Sequence, residues 1–256
     1  MPVFINAPYN MIEQRLKRIL DLNVGIEVYA NNDVLDELDM NKVKEMSSKL
    51  QDNGIPCTVH APFMDLSPGS FDKAIKAVSR DKILKAVEMA HLLHARSIVC
   101  HPGYDKWRFD VNPQLWQMWF ESSVETWEEV IRTANRELIV MLENIFEETP
   151  SSFIALFDYF KEKNLYFCFD SGHFNLFSTV SLEAWLMPLK DRIREMHLHD
   201  NHGKSDEHLP VGKGTFPFRE LKAFLRQING NIVYATEVHG ESRAAEAVKS
   251  LREFLS

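Results

Sequence analysis

Imidazoles and carboxylates recur along this chain where short apolar runs end. His60 closes one such run, His101 the next, and Glu143 follows a third. Asp170 closes a fourth with His173 three residues on, His197 lies in a fifth, Asp206 and His208 follow it, and Glu237 closes the last. Imidazole nitrogen mixed with carboxylate oxygen suits zinc, manganese or iron. Together these residues would hold divalent ions that activate water or polarise a substrate oxygen. Each alone has a plainer reading: His60 as a hydrogen-bonded structural histidine, Glu143 as a carboxylate favoured by a helix dipole, Asp170 with Ser171 as a turn cap. Nine such residues in one kind of position argue for a shared site.

The elements that would gather them can be read from the apolar pattern. Strand candidates are Val3–Asn6, Gly25–Tyr29, Cys57–His60, Ser97–His101, Leu138–Leu142, Tyr166–Asp170, Ile193–His199 and Ile232–Glu237. Most are near-continuous apolar runs, as strands buried on both faces should be. Between them, Glu13–Leu20, Val34–Leu50, Lys73–Leu93, Pro113–Arg132, Ser151–Lys163, Leu182–Leu189, Phe218–Ile228 and Ser242–Phe254 carry apolar positions at helical spacing. Asn112 before Pro113 reads as a cap followed by proline at the first helical position. Strict alternation gives a parallel sheet. Eight units predict closure into a single-domain (β/α)8 TIM barrel, and an open doubly wound sheet is the alternative. The ligand-type residues would then share the C-terminal rim of the strands, where such barrels place their chemistry.

The totals agree with this reading. The chain's 256 residues fit a barrel of about 250. The net charge of −8 argues against a general nucleic-acid binder, though a basic loop or a bound metal can reverse the local potential. Three cysteines (Cys57, Cys100 and Cys168) without a spacing pattern imply no disulfide framework and a reducing, cytoplasmic setting. The first residues lack the pattern of a signal peptide, and no apolar run is long enough to span a membrane. His91 and His94 fall within a helix and read as structural or solvent-facing. Strand alternation points His199 away from His197 at first; it could turn inward in the loop and take a supporting role behind the ligands. Trp116, Trp119 and Trp127 read as helix packing.

The segments His60-Ala61-Pro62-Phe63, His101-Pro102-Gly103, Glu143-Asn144, Asp170-Ser171-Gly172-His173, His197-Leu198-His199-Asp200 and Asp206-Glu207-His208, with Glu237, resemble the endonuclease IV and xylose isomerase-like barrel superfamily. The resemblance runs from the third strand to the eighth. In its endonuclease IV branch, the positions of His60, His101, Glu143, Asp170, His173, His197, Asp206, His208 and Glu237 hold three zinc ions that activate water against a phosphodiester beside an abasic site. In its sugar isomerase and epimerase branch, Glu143, Asp170, His197 and Glu237 would hold one divalent ion, zinc or manganese. The two glutamates would then move a proton on carbon, and His173 would touch substrate.

His197 follows His173 by only 24 positions, and the rim loops are poor in arginine. Both features favour a small substrate over a DNA duplex. The expectation is therefore a metal-dependent isomerase or epimerase of a sugar or sugar phosphate, with Phe63, Tyr104, Lys213 and His239 contacting substrate and Lys213 meeting a phosphate. Gly203 stands where some epimerases of this group carry an arginine. An endonuclease IV-type phosphodiesterase acting on DNA is the alternative, and a metal-binding barrel without activity is the third possibility.

Overall fold

A computed structural model describes residues 3–228, 230–238 and 240–256. Eight strands form among them: β1 (Val3–Pro8), β2 (Gly25–Tyr29), β3 (Cys57–His60), β4 (Ser97–Cys100), β5 (Ile139–Glu143), β6 (Leu165–Asp170), β7 (Ile193–His197) and β8 (Val233–Thr236). Each pairs in parallel with the next, and β8 returns to β1, where Val3, Phe4 and Ile5 take Tyr234, Ala235 and Thr236 as partners. The sheet is therefore a closed (β/α)8 barrel and the open alternative is excluded.

The helices are α1 (Ile12–Leu22), α2 (Asn32–Asp36), α3 (Met40–Asp52), α4 (Lys73–Leu92), α5 (Lys106–Phe109), α6 (Pro113–Ala134), α7 (Ser151–Tyr159), α8 (Ser171–Phe177), α9 (Leu182–Leu186), α10 (Phe218–Leu225) and α11 (Glu241–Leu255). Their starts are written in the sequence. The Asp72 carboxylate accepts from the Ala74 and Ile75 amides at α4, and Asn112 accepts from Leu115 ahead of Pro113 at α6. The single helix expected over Val34–Leu50 is two, because Asp39 accepts from the Asn41 amide and starts α3 afresh. Short helices α5 and α8 lie in segments expected to be loop.

Two apolar regions meet at the strands. Outside, helices pack on the barrel; Phe153, Phe167 and Trp185 interlock there, with Phe167 and Trp185 stacked at 6.1 Å. Burying each such phenylalanine contributes about 1.5–3 kcal/mol. Inside, Val99, Met141 and Cys168 form a small plug with Ile139 and Tyr166. Glu27, Thr58, His60, Glu143, Asp170, Glu195 and His197 are also buried. Barrel interiors are usually filled by branched apolar residues, and a buried charge is costly unless paired. Each of these ionisable groups therefore needs a partner.

Candidate metal centre

The ends of β5 and β6 are clamped by one side chain. Asn144 donates from Nδ2 to the Asp170 carbonyl oxygen at 2.9 Å and accepts the Asp170 amide at 2.8 Å, extending the strand pairing by one amide. This holds Glu143 and Asp170 side by side. Asp170 then caps α8 by accepting the His173 amide at 2.7 Å, so His173 turns back over the strand ends.

His197 is the hub of the resulting ring. Its Nδ1 lies 3.2 Å from Glu143 Oε1, 3.6 Å from Glu237 Oε1 and 3.9 Å from Asp170 Oδ2. Glu143, Asp170, His197 and Glu237 each offer one donor atom, all within 4.8 Å of one another. His60, His101 and Glu143 form a second such group that shares Glu143 with the first.

The hydrogen bonds behind the imidazoles decide whether the ring suits a metal. His60 donates its Nδ1–H to the Ala61 carbonyl at 2.9 Å, leaving Nε2 facing Glu143 Oε2 at 3.0 Å. His173 donates Nδ1–H to the Asn144 carbonyl at 3.0 Å, and His208 donates Nδ1–H to the Glu237 carbonyl at 2.8 Å. Their Nε2 atoms face Asp206 Oδ2 at 3.5 and 2.7 Å. A carbonyl only accepts, so these tautomers are set. Each free Nε2 lone pair then faces a carboxylate lone pair, and only a proton or a cation between them makes the contact favourable. An imidazole whose other nitrogen is tied to an outer partner is the usual arrangement of a metal-bound histidine. The residues present fit divalent ions.

The protonation pattern without an ion follows. Burial opposes ionisation of Glu143, but the charge of His197 and hydrogen bonds from His101 and His173 outweigh it and hold the carboxyl well below its usual range. Burial likewise opposes a charged His60, yet the Glu143 hydrogen bond raises it to about 9. His173 and His197 are also raised well above the ordinary imidazole value against their burial. His101 goes the other way: burial lowers it to about 4, so it stays neutral, its ring stacked on Phe63 at 4.3 Å. Protons occupy the positions that a divalent ion would take, so binding would release them.

The loop after β7 brings Asp206 and His208 to the ring. It is pinned by Asp200, fully buried, whose carboxylate accepts the amides of Asn201, Gly214 and Phe216 at 2.9, 2.8 and 3.0 Å. A Cβ on Gly214 would sit 2.2 Å from the Asn201 carbonyl oxygen, so no other residue fits there. Of the two orientations open to His199, the structure has the inward one, taken once β7 has ended. Ser171 Oγ bridges its amide and carbonyl, and its Nε2–H donates to Asp170 Oδ2 at 2.9 Å. Its ring stacks on His208 at 4.1 Å, and its buried Nδ1 has no hydrogen-bond partner.

A cleft of about 970 Å³ opens above this floor, lined by His60, His101, Glu143, His173, Asp206, His208 and Glu237, with Phe63 and Tyr104 in its walls. Phe63 also stacks on Tyr29 at 5.4 Å. Lys213 is not among the lining residues. It is more than half exposed and pairs with Glu246 at 3.1 Å. His239 lies outside the described residues. The sequence reading missed Glu27 and Glu195, buried below the ring, and Glu147, buried in the cleft wall. A lone carboxylate inside an apolar strand run, as in Gly25–Tyr29, was the available signal. Trp119 and Trp127 are fully buried packing residues, and all three cysteines are free and buried. Among the described residues no helix is long and apolar enough to cross a membrane.

A family profile described as xylose isomerase-like TIM barrel matches residues 24–255. The uncharacterized protein MJ1311 of Methanocaldococcus jannaschii is 30% identical over 213 residues, covering 78% of this chain and 70% of that protein. Among solved structures, the TTHB071 protein of Thermus thermophilus, soaked with ZnCl2, superposes with a TM-score of 0.81 at 24% identity, covering 99% of this chain and 98% of that one. A D-tagatose 3-epimerase-like protein superposes with a TM-score of 0.83 at 24% identity, over 100% and 97% of the two chains. These two structures share the fold.

Proposed function

The chain belongs to the xylose isomerase-like TIM barrel family, and we propose that it is a divalent-metal-dependent isomerase or epimerase of a sugar or sugar phosphate. The observation that carries this reading is the ring of Glu143, Asp170, His197 and Glu237, four donors within 4.8 Å, of which Glu143 and Glu237 line the cleft of about 970 Å³. The names of fold neighbours, a D-tagatose 3-epimerase-like protein and an L-ribulose 3-epimerase, support the same substrate class.

Glu143, Asp170, His197 and Glu237 would hold the ion, zinc or manganese by their donor types. When bound it would polarise a substrate carbonyl and stabilise negative charge beside it. The chain's own residues do the rest. Glu143, ionised at neutral pH, accepts a proton from the carbon next to the carbonyl. Glu237, oriented by a 3.1 Å hydrogen bond from Asn6 Nδ2, would enter the step protonated and give its proton to the opposite face, which inverts that carbon; Glu143 is left protonated and Glu237 ionised, and exchange with solvent resets the pair. Return to the neighbouring carbon isomerises instead. His173 stands above the ring to bind a substrate oxygen. Phe63 and Tyr104 give apolar walls that pack on sugar C–H faces and exclude water.

A second reading, an endonuclease IV-type phosphodiesterase, is favoured by one observation. The His60, His101 and Glu143 group shares Glu143 with the ring, and His173, Asp206 and His208 adjoin it, so donors for further ions are close by. Elemental analysis of protein purified without chelator, paired with activity assays, separates the two. One zinc or manganese ion per chain, lost in Asp170→Asn but kept in Asp206→Asn, together with turnover of ketoses or their phosphates, is the expected result. About three zinc ions, reduced in Asp206→Asn, with cleavage of abasic-site DNA, would establish the second reading. Bound metal with neither activity would mark an inactive metal-binding barrel.

A further inference from the structure

Glu27 has no place in either reaction, yet it is fully buried in the middle of β2. Its two oxygens are both used. Oε2 lies 3.2 Å from His197 Nε2, and Oε1 accepts from Asn6 Nδ2 at 2.9 Å. The same Asn6 nitrogen lies 3.1 Å from Glu237 Oε1, so one amide ties Glu27 to the ring. Glu195 stands behind, its Oε1 3.9 Å from His197 Nε2 and its Oε2 accepting from Ser97 at 3.2 Å.

A carboxylate in this position is expensive, and its partners show what it does. An imidazole carrying one proton can place it on either nitrogen. Glu27 accepts at Nε2, so the proton sits there and the Nδ1 lone pair is directed at Glu143, Asp170 and Glu237. His60, His173 and His208 are fixed by backbone carbonyls, whereas His197 is fixed by a charged side chain, which also makes the imidazole a stronger donor.

We propose that Glu27 is a positioning residue that fixes the tautomer of His197 and thereby sets the affinity of the four-residue ring for a divalent ion, with Asn6 holding Glu27 in place. This rests on the metal-binding reading of the ring above. It assigns Glu27 no contact with substrate.

The test measures zinc affinity of the full chain by competition with a chromophoric chelator. Asp170→Asn is the control that removes a ring ligand. In Glu27→Gln, which keeps the shape and removes the charge, the ring affinity is expected to fall roughly 10- to 100-fold, with Glu27→Asp restoring part of it. An unchanged affinity in Glu27→Gln, in a protein whose binding is lost in Asp170→Asn, would overturn the role of Glu27 and leave the ring intact. Absence of ring binding in the unsubstituted protein would overturn the metal reading itself. Imidazole nitrogen NMR of the zinc-loaded wild-type chain needs no variant: His197 protonated at Nε2 and metal-bound at Nδ1 is expected, and the reverse tautomer would overturn the proposal.

Discussion

The Nε2 of His208 lies 2.7 Å from Asp206 Oδ2, and its other nitrogen is already committed to a backbone carbonyl. Such a contact needs a positive charge between the two atoms. Without an ion that charge is a proton: burial opposes it, but Asp206 and Glu237 raise His208 to about 9. His60 reaches about 9 in the same way against Glu143. A proton and a divalent ion therefore compete for the same lone pairs.

Opposite pH trends follow for the metal-free and metal-loaded protein. For His208 and His60 the folded pKa lies above the ordinary 6.5, so their stabilising effect is complete below pH 6.5 and is lost as pH rises through about 9. Metal-stripped protein should thus lose melting temperature between pH 6.5 and 9. An ion in the ring displaces the proton on His197 Nδ1, and in the second reading those on His60 and His208 as well, so the rise in Tm on adding zinc should grow across that window. Thermal melts at several pH values, with and without zinc, check both trends. A zinc effect that shrinks with pH would show that these imidazoles are not ligands.

Gly172 is the next position where geometry sets an outcome. A Cβ there would lie 2.0 Å from Cε1 of His199, a ring buried between α8 and the ring residues. Alanine would gain about 1 kcal/mol of helix propensity over glycine. Overpacking costs about 1–3 kcal/mol, and displacing His199 would break its bond to the Asp170 carboxylate, worth about 1.5–3 kcal/mol. The clash wins. Gly172→Ala should lower stability by about 2–4 kcal/mol in urea unfolding. A neutral substitution would mean that His199 can move aside without loss.

The strands were legible because they are buried on both faces and so read as near-continuous apolar runs; Gly25–Tyr29 and Cys57–His60 are matched to the residue. The closing polar residues could be placed on one rim for the same reason. The inward turn of His199 was legible only as one of two orientations, since strand alternation stops applying where Ser171 captures its backbone after β7. Helix α8 was not legible, because Asp170 reads equally as a turn cap and as a helix cap until the His173 amide is seen bonded to it. Lys213 looked available for phosphate, but its partner Glu246 lies on α11, far off in sequence. Long-range pairing of this kind leaves no local pattern.

Glu147 yields the remaining prediction. It is buried in the cleft wall; Oε2 accepts the Ile145 amide at 2.7 Å and Oε1 has no partner. Burial raises the carboxyl to about 7, only partly offset by the backbone hydrogen bonds. Here the folded pKa lies above the ordinary 4.5, so the unfolded chain ionises first. Glu147 therefore makes stability fall as pH rises from about 4.5 to about 7, with no further change outside that window. One pKa unit corresponds to about 1.4 kcal/mol, so the penalty at neutral pH is on the order of 3 kcal/mol. Glu147→Gln keeps the acceptor for Ile145 and cannot ionise. Relative to wild type it should gain stability steadily across the window, read as the difference in urea unfolding free energy at about pH 4.5, 5.5 and 7.5. A difference that does not change with pH would mean that Glu147 ionises as an ordinary exposed carboxylate and that the cleft wall is wetter than its burial implies.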